Sequence, residues 1–351
     1  MVNKGKRSTI RCSPPLPFQG NKSIGRVKFL EIVKRIKDGN KKTFVDLFGG
    51  SLYLSYLIHQ VFPEAKVICN DYDNYKERLD NIAKTQTLLN KMKEVVTEKR
   101  YKKIGDENKA KIDEIIRAEE GFVDFITLSS NLLYSSFTLY DKEKFLAHEY
   151  YNILAKTEYN PDVADYLEGL ELVKEDWKTL FDKYKDKENV IFIADPPYLY
   201  TDRQGYMYHN KQNWGVRENL QVLDVMKTPA YIYYCSGKPG TRDFVSYLHD
   251  VVKVIPDFEE IEYKRGKTIN KRSGPNREVM MYHLDLNDPE PEPEPKPKRT
   301  RKPKKVVEKI EPEPEPVVEE DVLPEEEELY EAEYDPEYDD NLNDDNYYID
   351  E

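Results

Sequence analysis

Residues Thr43 to Asp73 read TFVDLFGGSLYLSYLIHQVFPEAKVICNDYD, and this stretch decides the fold class. Thr43 to Phe48 has the length and the aromatic and β-branched content of a buried strand, with Gly49-Gly50-Ser51 as its tight exit. Leu52 to Phe62 is a helix by its apolar spacing. Ala65 to Cys69 is a second strand, ending on Asn70-Asp71-Tyr72-Asp73. Strand, glycine turn, helix, strand and acid within about thirty residues is the pattern of a Rossmann-like nucleotide-binding unit. Glycines at a strand exit let a ligand approach the backbone closely, although an ordinary strand-to-helix turn has the same composition. No lysine follows them as in a phosphate-binding loop, so a nucleoside triphosphate is not expected. A carboxylate at the tip of the second strand suits the two hydroxyls of a ribose, which is a role for Asp71. Capping the next helix is the competing role, and Asp73 competes for either.

Upstream, Ile24 to Ile36 carries apolar residues at helical spacing (Ile24, Val27, Leu30, Val33) and stops at Asp38-Gly39-Asn40. Residues 1–16 are basic and proline-ended, and are expected to be a mobile arm. Downstream, residues 75–120 are charged and helical, and residues 121–170 are richer in Ser, Asn, Phe and Tyr. Together they read as a mainly helical insertion, 75–170. Leu172-Val173 is a short strand leading to Glu175-Asp176-Trp177. Asp176 could accept a hydrogen bond from an adenine amine, or cap the helix Trp177 to Tyr184. Further helices are expected at Leu220 to Met226 and Arg242 to His249, a strand at Ala230 to Cys235, and a closing hairpin from Val251 to Ile255 and Glu278 to Leu284. This alternation predicts a largely parallel, three-layer α/β domain built from 17–74 and 171–287. The Glu-Pro and Lys-rich remainder, 288–351, cannot form a core and is expected to be disordered.

The formal net charge of −13 is misleading as a guide to the body. From Asp288 onward there are 25 acidic and 8 basic residues, which leaves 42 acidic and 46 basic in residues 1–287. The body is thus mildly basic, which permits a nucleic-acid partner. Cys12, Cys69 and Cys235 are far apart and lack metal-ligand spacing, as for reduced thiols in a cytoplasmic protein. No signal peptide and no membrane-spanning run is visible. The five histidines (His59, His148, His209, His249, His283) show no triad or ligand spacing, and no metal is expected.

The strongest chemical signal is the buried strand Val190 to Ala194, which ends in Asp195-Pro196-Pro197-Tyr198. Those groups suit chemistry on a planar amino group such as the exocyclic amine of a nucleobase. A carboxylate accepts one amine hydrogen. The carbonyl beside a proline accepts the other, and the prolines hold it rigid. The tyrosine ring stacks on the base.

With these motifs the chain resembles the Dam-like DNA adenine methyltransferases of the alpha-type motif order. Pro17-Phe18-Gln19-Gly20-Asn21-Lys22 resembles the family's aromatic-x-Gly-x-Lys loop, Asp46 to Ser51 its cofactor loop, Asn70-Asp71 its ribose-binding acid and Asp195 to Tyr198 its catalytic tetrapeptide. Leu52 stands where the family usually has another glycine, and Phe18 where tryptophan is frequent. The resemblance spans about Pro17 to Leu284. It implies a Rossmann-like S-adenosylmethionine-dependent methyltransferase fold in which 75–170 is a target-recognition insertion. It also implies S-adenosyl-L-methionine as cofactor, double-stranded DNA as partner and N6-methyladenine as product. Phe18, Lys22, Asp46, Phe48, Gly49, Gly50, Asp71, Asp176 and Asp195 would then contact the cofactor, Phe18 or Lys22 alternatively the base, and Asp195, Pro196, Pro197 and Tyr198 would be catalytic.

A base inside a duplex cannot reach such a pocket and must be flipped out. The loop Tyr200, Arg203, Tyr206, Tyr208, Lys211, Trp214, Arg217 mixes basic and aromatic groups as a strand-binding surface does, or is a plain surface loop. Ser129-Ser130-Asn131 to Ser135-Ser136 are candidates for base-edge contacts. The rival expectations are methylation of an amine in RNA or on cytosine, and a retired enzyme that serves as a DNA-binding scaffold.

Overall fold

The alternating pattern folds into a seven-stranded sheet. A computed structural model describes residues 10–134, 138–154, 158–198, 214–237, 241–270 and 274–288. The elements in chain order begin with α1 (Arg26–Val33), β1 (Thr43–Asp46), α2 (Tyr53–Val61) and β2 (Lys66–Asn70). Six helices follow: α3 (Tyr75–Asp80), α4 (Ile82–Val95), α5 (Asp106–Arg117), α6 (Phe125–Leu132), α7 (Lys142–Leu146) and α8 (Ala164–Leu167). Then come β3 (Leu170–Val173), α9 (Trp177–Tyr184), β4 (Val190–Ala194), α10 (Val216–Val222), β5 (Tyr231–Ser236), α11 (Thr241–Asp250), β6 (Glu259–Asn270) and β7 (Gly274–His283). The strand order is β3-β2-β1-β4-β5-β7-β6. The first five strands are parallel, and β7 pairs antiparallel with both β5 and β6.

Period-two alternation builds the three layers. Phe44, Val67, Ile191, Ile193 and Ile232 point to one face, where they meet Phe29 of α1 and Leu57 of α2. Val45, Ile68, Phe192, Tyr231 and Tyr233 point to the other, where they meet Trp177 and Leu180 of α9. The helices after β2 enclose a third core of their own, with Leu88, Met92, Ile112, Leu128 and Phe145 fully buried.

Several expectations fail on particular residues. Residues 10–16 are pinned rather than mobile. The Arg11 backbone lies between the Tyr53 and Tyr56 hydroxyls, and Leu16 is 2% exposed with both backbone groups bonded to the Tyr75 hydroxyl. On α1 the buried face is Phe29, Ile32 and Val33, while Ile24 and Val27 lie in solvent. Val251 to Ile255 is not a strand, and its valines are exposed. The strand β7 pairs with is the charged segment β6, an edge strand that buries little and so shows no apolar run. Residues 1–9, Ser135-Ser136, most of the Tyr200–Arg217 loop and the tail after Asp288 lie outside the described residues.

One buried ion pair within the insertion joins α3 to α6 and, through Arg78, fastens both to the N-terminal loop. Arg78 of α3 and Asp124, which caps α6, are each 1% exposed, with Nε donating to both carboxylate oxygens at 3.0 Å. The same guanidinium donates to Pro17 O at 2.7 Å, just before Phe18. Removing one member of a buried pair strands the other charge, at a cost of about 3–5 kcal/mol. Arg78→Met is expected to lower unfolding free energy by about that amount. Urea denaturation of the variant beside wild type measures it, and a loss below about 1 kcal/mol counts against the fastening role.

Candidate active site

From β1 the chain proceeds toward β2 and β3 on one side, and from β4 toward β5 on the other. The C-terminal ends of β1 and β4 therefore flank the switch point where open α/β sheets bind ligands. A cleft of about 790 Å³, open mouth included, lies there.

One wall is the glycine loop. Gly50 has φ +51°, and a Cβ there would stand 2.9 Å from the Phe18 ring, so the glycine allows the N-terminal loop to close on it. Gly49 donates from its backbone nitrogen to Asn70 O, and a Cβ on it would lie 2.8 Å from that oxygen. Leu52 sits at φ 59°, ψ 15° and is fully buried. A left-handed position is where a glycine is most at ease, so the leucine here accepts backbone strain in return for burial. Asn70, 1% exposed, laces the strand ends together: its amide donates to Leu47 O and Glu175 O and accepts from Glu175 N.

The second wall is aromatic. Phe48 packs against Trp177 and edge-on against Trp214, each with centroids 5.7 Å apart. Trp214 is 4% exposed and donates from Nε1 to Pro197 O at 2.9 Å. It belongs to the cleft, not to an exposed strand-binding surface as its sequence neighbours suggested. Asp176 lines the rim, and its Oδ1 caps α9 by accepting from Lys178 N.

The acids do not all behave as expected. Asp71 does not line the cleft. Its two oxygens accept from Tyr75 N at 2.6 Å and Lys76 N at 3.0 Å, so the carboxylate caps α3 and the capping alternative is the observed one. Asp73 does line it. It is 9% exposed, its Oδ1 is buried without a partner, and burial with the nearby Asp71 charge pushes its carboxyl up to about 6. Asp46 is also absent from the lining. It lies 1% exposed beneath the loop, accepting from Ser55 Oγ at 2.7 Å and Phe48 N at 3.3 Å. Ser129 and Asn131 are buried and bonded to Leu139, Thr127 and Tyr159, so neither is available to a base edge.

Asp195 and Pro197 complete the cleft from β4. Lys22 places Nζ 2.5 Å from Asp195 Oδ2, 3.2 Å from Glu278 Oε1 and 2.8 Å from Gly20 O. Tyr198, which does not line the cleft, has its hydroxyl 2.9 Å from Asp195 Oδ1 and 3.2 Å from Glu278 Oε1. Burial raises the Asp195 carboxyl above the ordinary range. Lys22 pulls it back and Glu278 pushes it further up. Phe18, Lys22, Phe48, Gly49, Gly50, Asp176, Asp195 and Pro197 thus meet in one cleft, whereas Asp46, Asp71, Pro196 and Tyr198 stand outside its lining. Glu278, Trp214 and Asn70 are the residues whose roles the sequence did not disclose. Among the described residues no group of three or more His, Cys, Asp or Glu side chains is set to hold a metal. No described helix is long and apolar enough to cross a membrane.

The sheet order and the cleft at its switch point define a Rossmann-like α/β fold. The family model for D12 class N6 adenine-specific DNA methyltransferases matches residues 19–236, and the chain belongs to that family. A provisionally named methyltransferase of Haemophilus influenzae is 32% identical over 281 residues, which is 76% of this chain and 91% of that protein. The type II methyltransferase M.CviBI of Paramecium bursaria Chlorella virus NC1A is 26% identical over 161 residues, 45% of this chain and 51% of that one. A solved precorrin-6y C5,15-methyltransferase of Geobacter metallireducens overlaps 80% of this chain and all of its own, at 9% identity and a TM-score of 0.31, a likeness too loose to bear on function.

Burial pushes the Asp46 carboxyl up to about 7, against the pull of the Ser55 hydrogen bond. An unfolded aspartate ionises near 3.9. Between those values the folded state holds a proton that the unfolded state has released. Stability from this group is therefore complete below pH ~4 and is lost as pH rises through ~7, by at most about 4 kcal/mol. Asp46→Asn stays neutral throughout. Its unfolding free energy relative to wild type is expected to rise from pH 4 to pH 8, and parallel urea-denaturation curves at the two pH values would contradict this.

Proposed function

We propose that this protein transfers the methyl group of S-adenosylmethionine to the N6 amine of adenine in double-stranded DNA, acting on a base flipped out of the helix. The observation that carries the reading is that Asp195 at the tip of β4 and the glycine loop after β1 line one cleft. The donor set fits the cofactor. Asp73 offers a buried carboxylate oxygen that lacks a partner, as ribose hydroxyls require, and Phe48 with Trp177 offers an apolar wall for a purine with Asp176 at its rim. Ribose binding is thereby assigned to Asp73 in place of Asp71.

When bound, the cofactor supplies a methyl group made electrophilic by its sulfonium. The chain's own residues do the remainder. The amine of adenine is a poor nucleophile because its lone pair is delocalised into the ring. Asp195, which lines the cleft, accepts an amine hydrogen, and this favours a more tetrahedral nitrogen. Attack must be in line with the bond that breaks, so positioning is the main contribution. The negative field of Asp195 offsets the positive charge that develops on nitrogen. The amine gains a methyl and must lose a proton, and Asp195, raised by burial, is the adjacent acceptor. The few kcal/mol spent in extruding the base are recovered by stacking and phosphate contacts.

The test is transfer of tritiated methyl from labelled cofactor into unmethylated duplex DNA, followed by nucleoside analysis. Label is expected in N6-methyladenine, with Asp195→Ala slower by roughly 10²–10³-fold. Label in cytosine or only in RNA, or cofactor binding with no transfer, would refute the proposal. Asp73→Ala is expected to weaken cofactor binding by roughly 10–100-fold, the loss of a charge-assisted hydrogen bond. Asp71→Ala is expected to lower thermal stability by about 0.5–2 kcal/mol as a lost cap while leaving cofactor affinity within about twofold. Calorimetric titration and melting curves separate the two, and the opposite pattern would return the ribose to Asp71.

A further inference from the structure

Glu278 lies on β7, opposite Ser236 at the C-terminal end of β5, and is 2% exposed. A buried carboxylate needs partners. Those of Glu278 include Tyr263, whose hydroxyl donates to Oε2 at 3.0 Å, together with Lys22 and Tyr198 at Oε1, both at 3.2 Å. Lys22 and Tyr198 are also the two donors that hold Asp195.

Each Asp195 oxygen therefore faces a donor in this arrangement: Oδ1 the Tyr198 hydroxyl, Oδ2 the Lys22 ammonium. An ammonium at 2.5 Å neutralises the field that methyl transfer to an amine requires. Tyr198 has a single hydroxyl proton and two carboxylates within reach. The three N–H groups of Lys22 already have three acceptors, Gly20 O, Asp195 and Glu278. Two carboxylates share this one ammonium, in a pocket where charge is weakly screened.

We propose that Glu278 is a positioning residue that draws Lys22 and Tyr198 off Asp195 as the base amine enters, leaving the catalytic carboxylate uncovered and its charge unneutralised. The shift required is small, because both donors already stand within hydrogen-bond distance of the second acid. Without the Glu278 charge, the ammonium belongs to Asp195 alone, and an incoming amine must compete with it. The inference rests on the methyltransferase reading above and specifies how its catalytic corner opens.

The test compares full-length wild type, Glu278→Gln and Glu278→Asp in tritium transfer to unmethylated duplex DNA, with cofactor affinity and melting temperature measured in parallel. Gln keeps the shape and an acceptor for Tyr198 but removes the charge, while Asp keeps the charge. For Glu278→Gln, kcat is expected to fall roughly 10- to 100-fold, with KM and Kd for the cofactor within about twofold and melting unchanged or higher. Glu278→Asp is expected to recover at least a third of the lost activation free energy. A Glu278→Gln kcat within about twofold of wild type overturns the inference. So does a fall in cofactor affinity that parallels the rate, or an equal loss in both variants, since either marks a merely structural acid. Wild-type protein that transfers no label overturns the methyltransferase reading and the inference with it, whereas an active wild type beside an unaffected Glu278→Gln overturns the inference alone.

Discussion

The buried ammonium of Lys22 is the interaction on which the site depends. It stands 4% exposed among a carbonyl from its own loop, the acid at the tip of β4 and an acid on the last strand. Taking such a charge out of water is costly, and the cost is met only when every N–H finds an acceptor. That condition is satisfied only when residues 20, 195 and 278 have been brought together. The corner therefore forms late in the logic of the fold, after β4 and the β6–β7 hairpin have joined the sheet. An Asp-Pro-Pro-Tyr segment by itself supplies an acid and a rigid turn. Lys22 and Glu278 decide which charge that acid presents.

The cleft beside it depends on a different constraint, the need to satisfy backbone at strand ends. Asn70 bonds to Leu47 and Glu175, and the Gly49 nitrogen bonds to the Asn70 carbonyl, so the exits of β1, β2 and β3 are held by one side chain and its own backbone. This lacing turns Asp73 toward the cleft while Asp71, two residues earlier, is taken by the start of α3. Cap and ligand-facing acid are thus divided between two aspartates on one short turn. The capping acid holds the helix whose Arg78 ties the insertion to the loop bearing Phe18.

The legible features were those carried by local pattern. The strand, glycine turn, helix and strand from Thr43 to Asn70 came out within one or two residues, as did the helix Trp177 to Tyr184, because apolar period and turn chemistry both act at short range. What eluded the sequence depends on long range. Asp71 and Asp73 are both plausible ribose acids by spacing, and only the path of the chain after Asn70 separates them. Glu278 sits in a run that otherwise reads as an apolar strand, and its partners lie 80 and 256 positions away at Tyr198 and Lys22. Trp214 follows a basic and aromatic stretch that suggests surface, yet the indole fills the gap between Phe48 and the proline turn. Ser129 looks like a base reader only until the loop at Leu139 folds back onto it, and Asn131 only until Tyr159 reaches its amide.

The N-terminal loop poses the remaining question: how a segment with no strand or helix holds Phe18 and Lys22 in register with the sheet. Irregular backbone must find partners for its polar groups, and here tyrosines from two helices supply them. Tyr53 and Tyr56 of α2 bond to the two backbone groups of Arg11, and Tyr75 of α3 bonds to both backbone groups of Leu16. Tyr166 of α8 stacks on Tyr56 at 4.8 Å and donates to Ser51 O, which joins the same cluster to the glycine loop. A tyrosine suits this work because its ring is buried like any core side chain while its hydroxyl both donates and accepts. A phenylalanine core of the same shape would leave the Arg11 and Leu16 backbone without these bonds, and the loop would lose its anchor. The position of Lys22, and through it the state of Asp195, is thus set by hydroxyl groups on helices flanking the sheet as much as by the sheet itself.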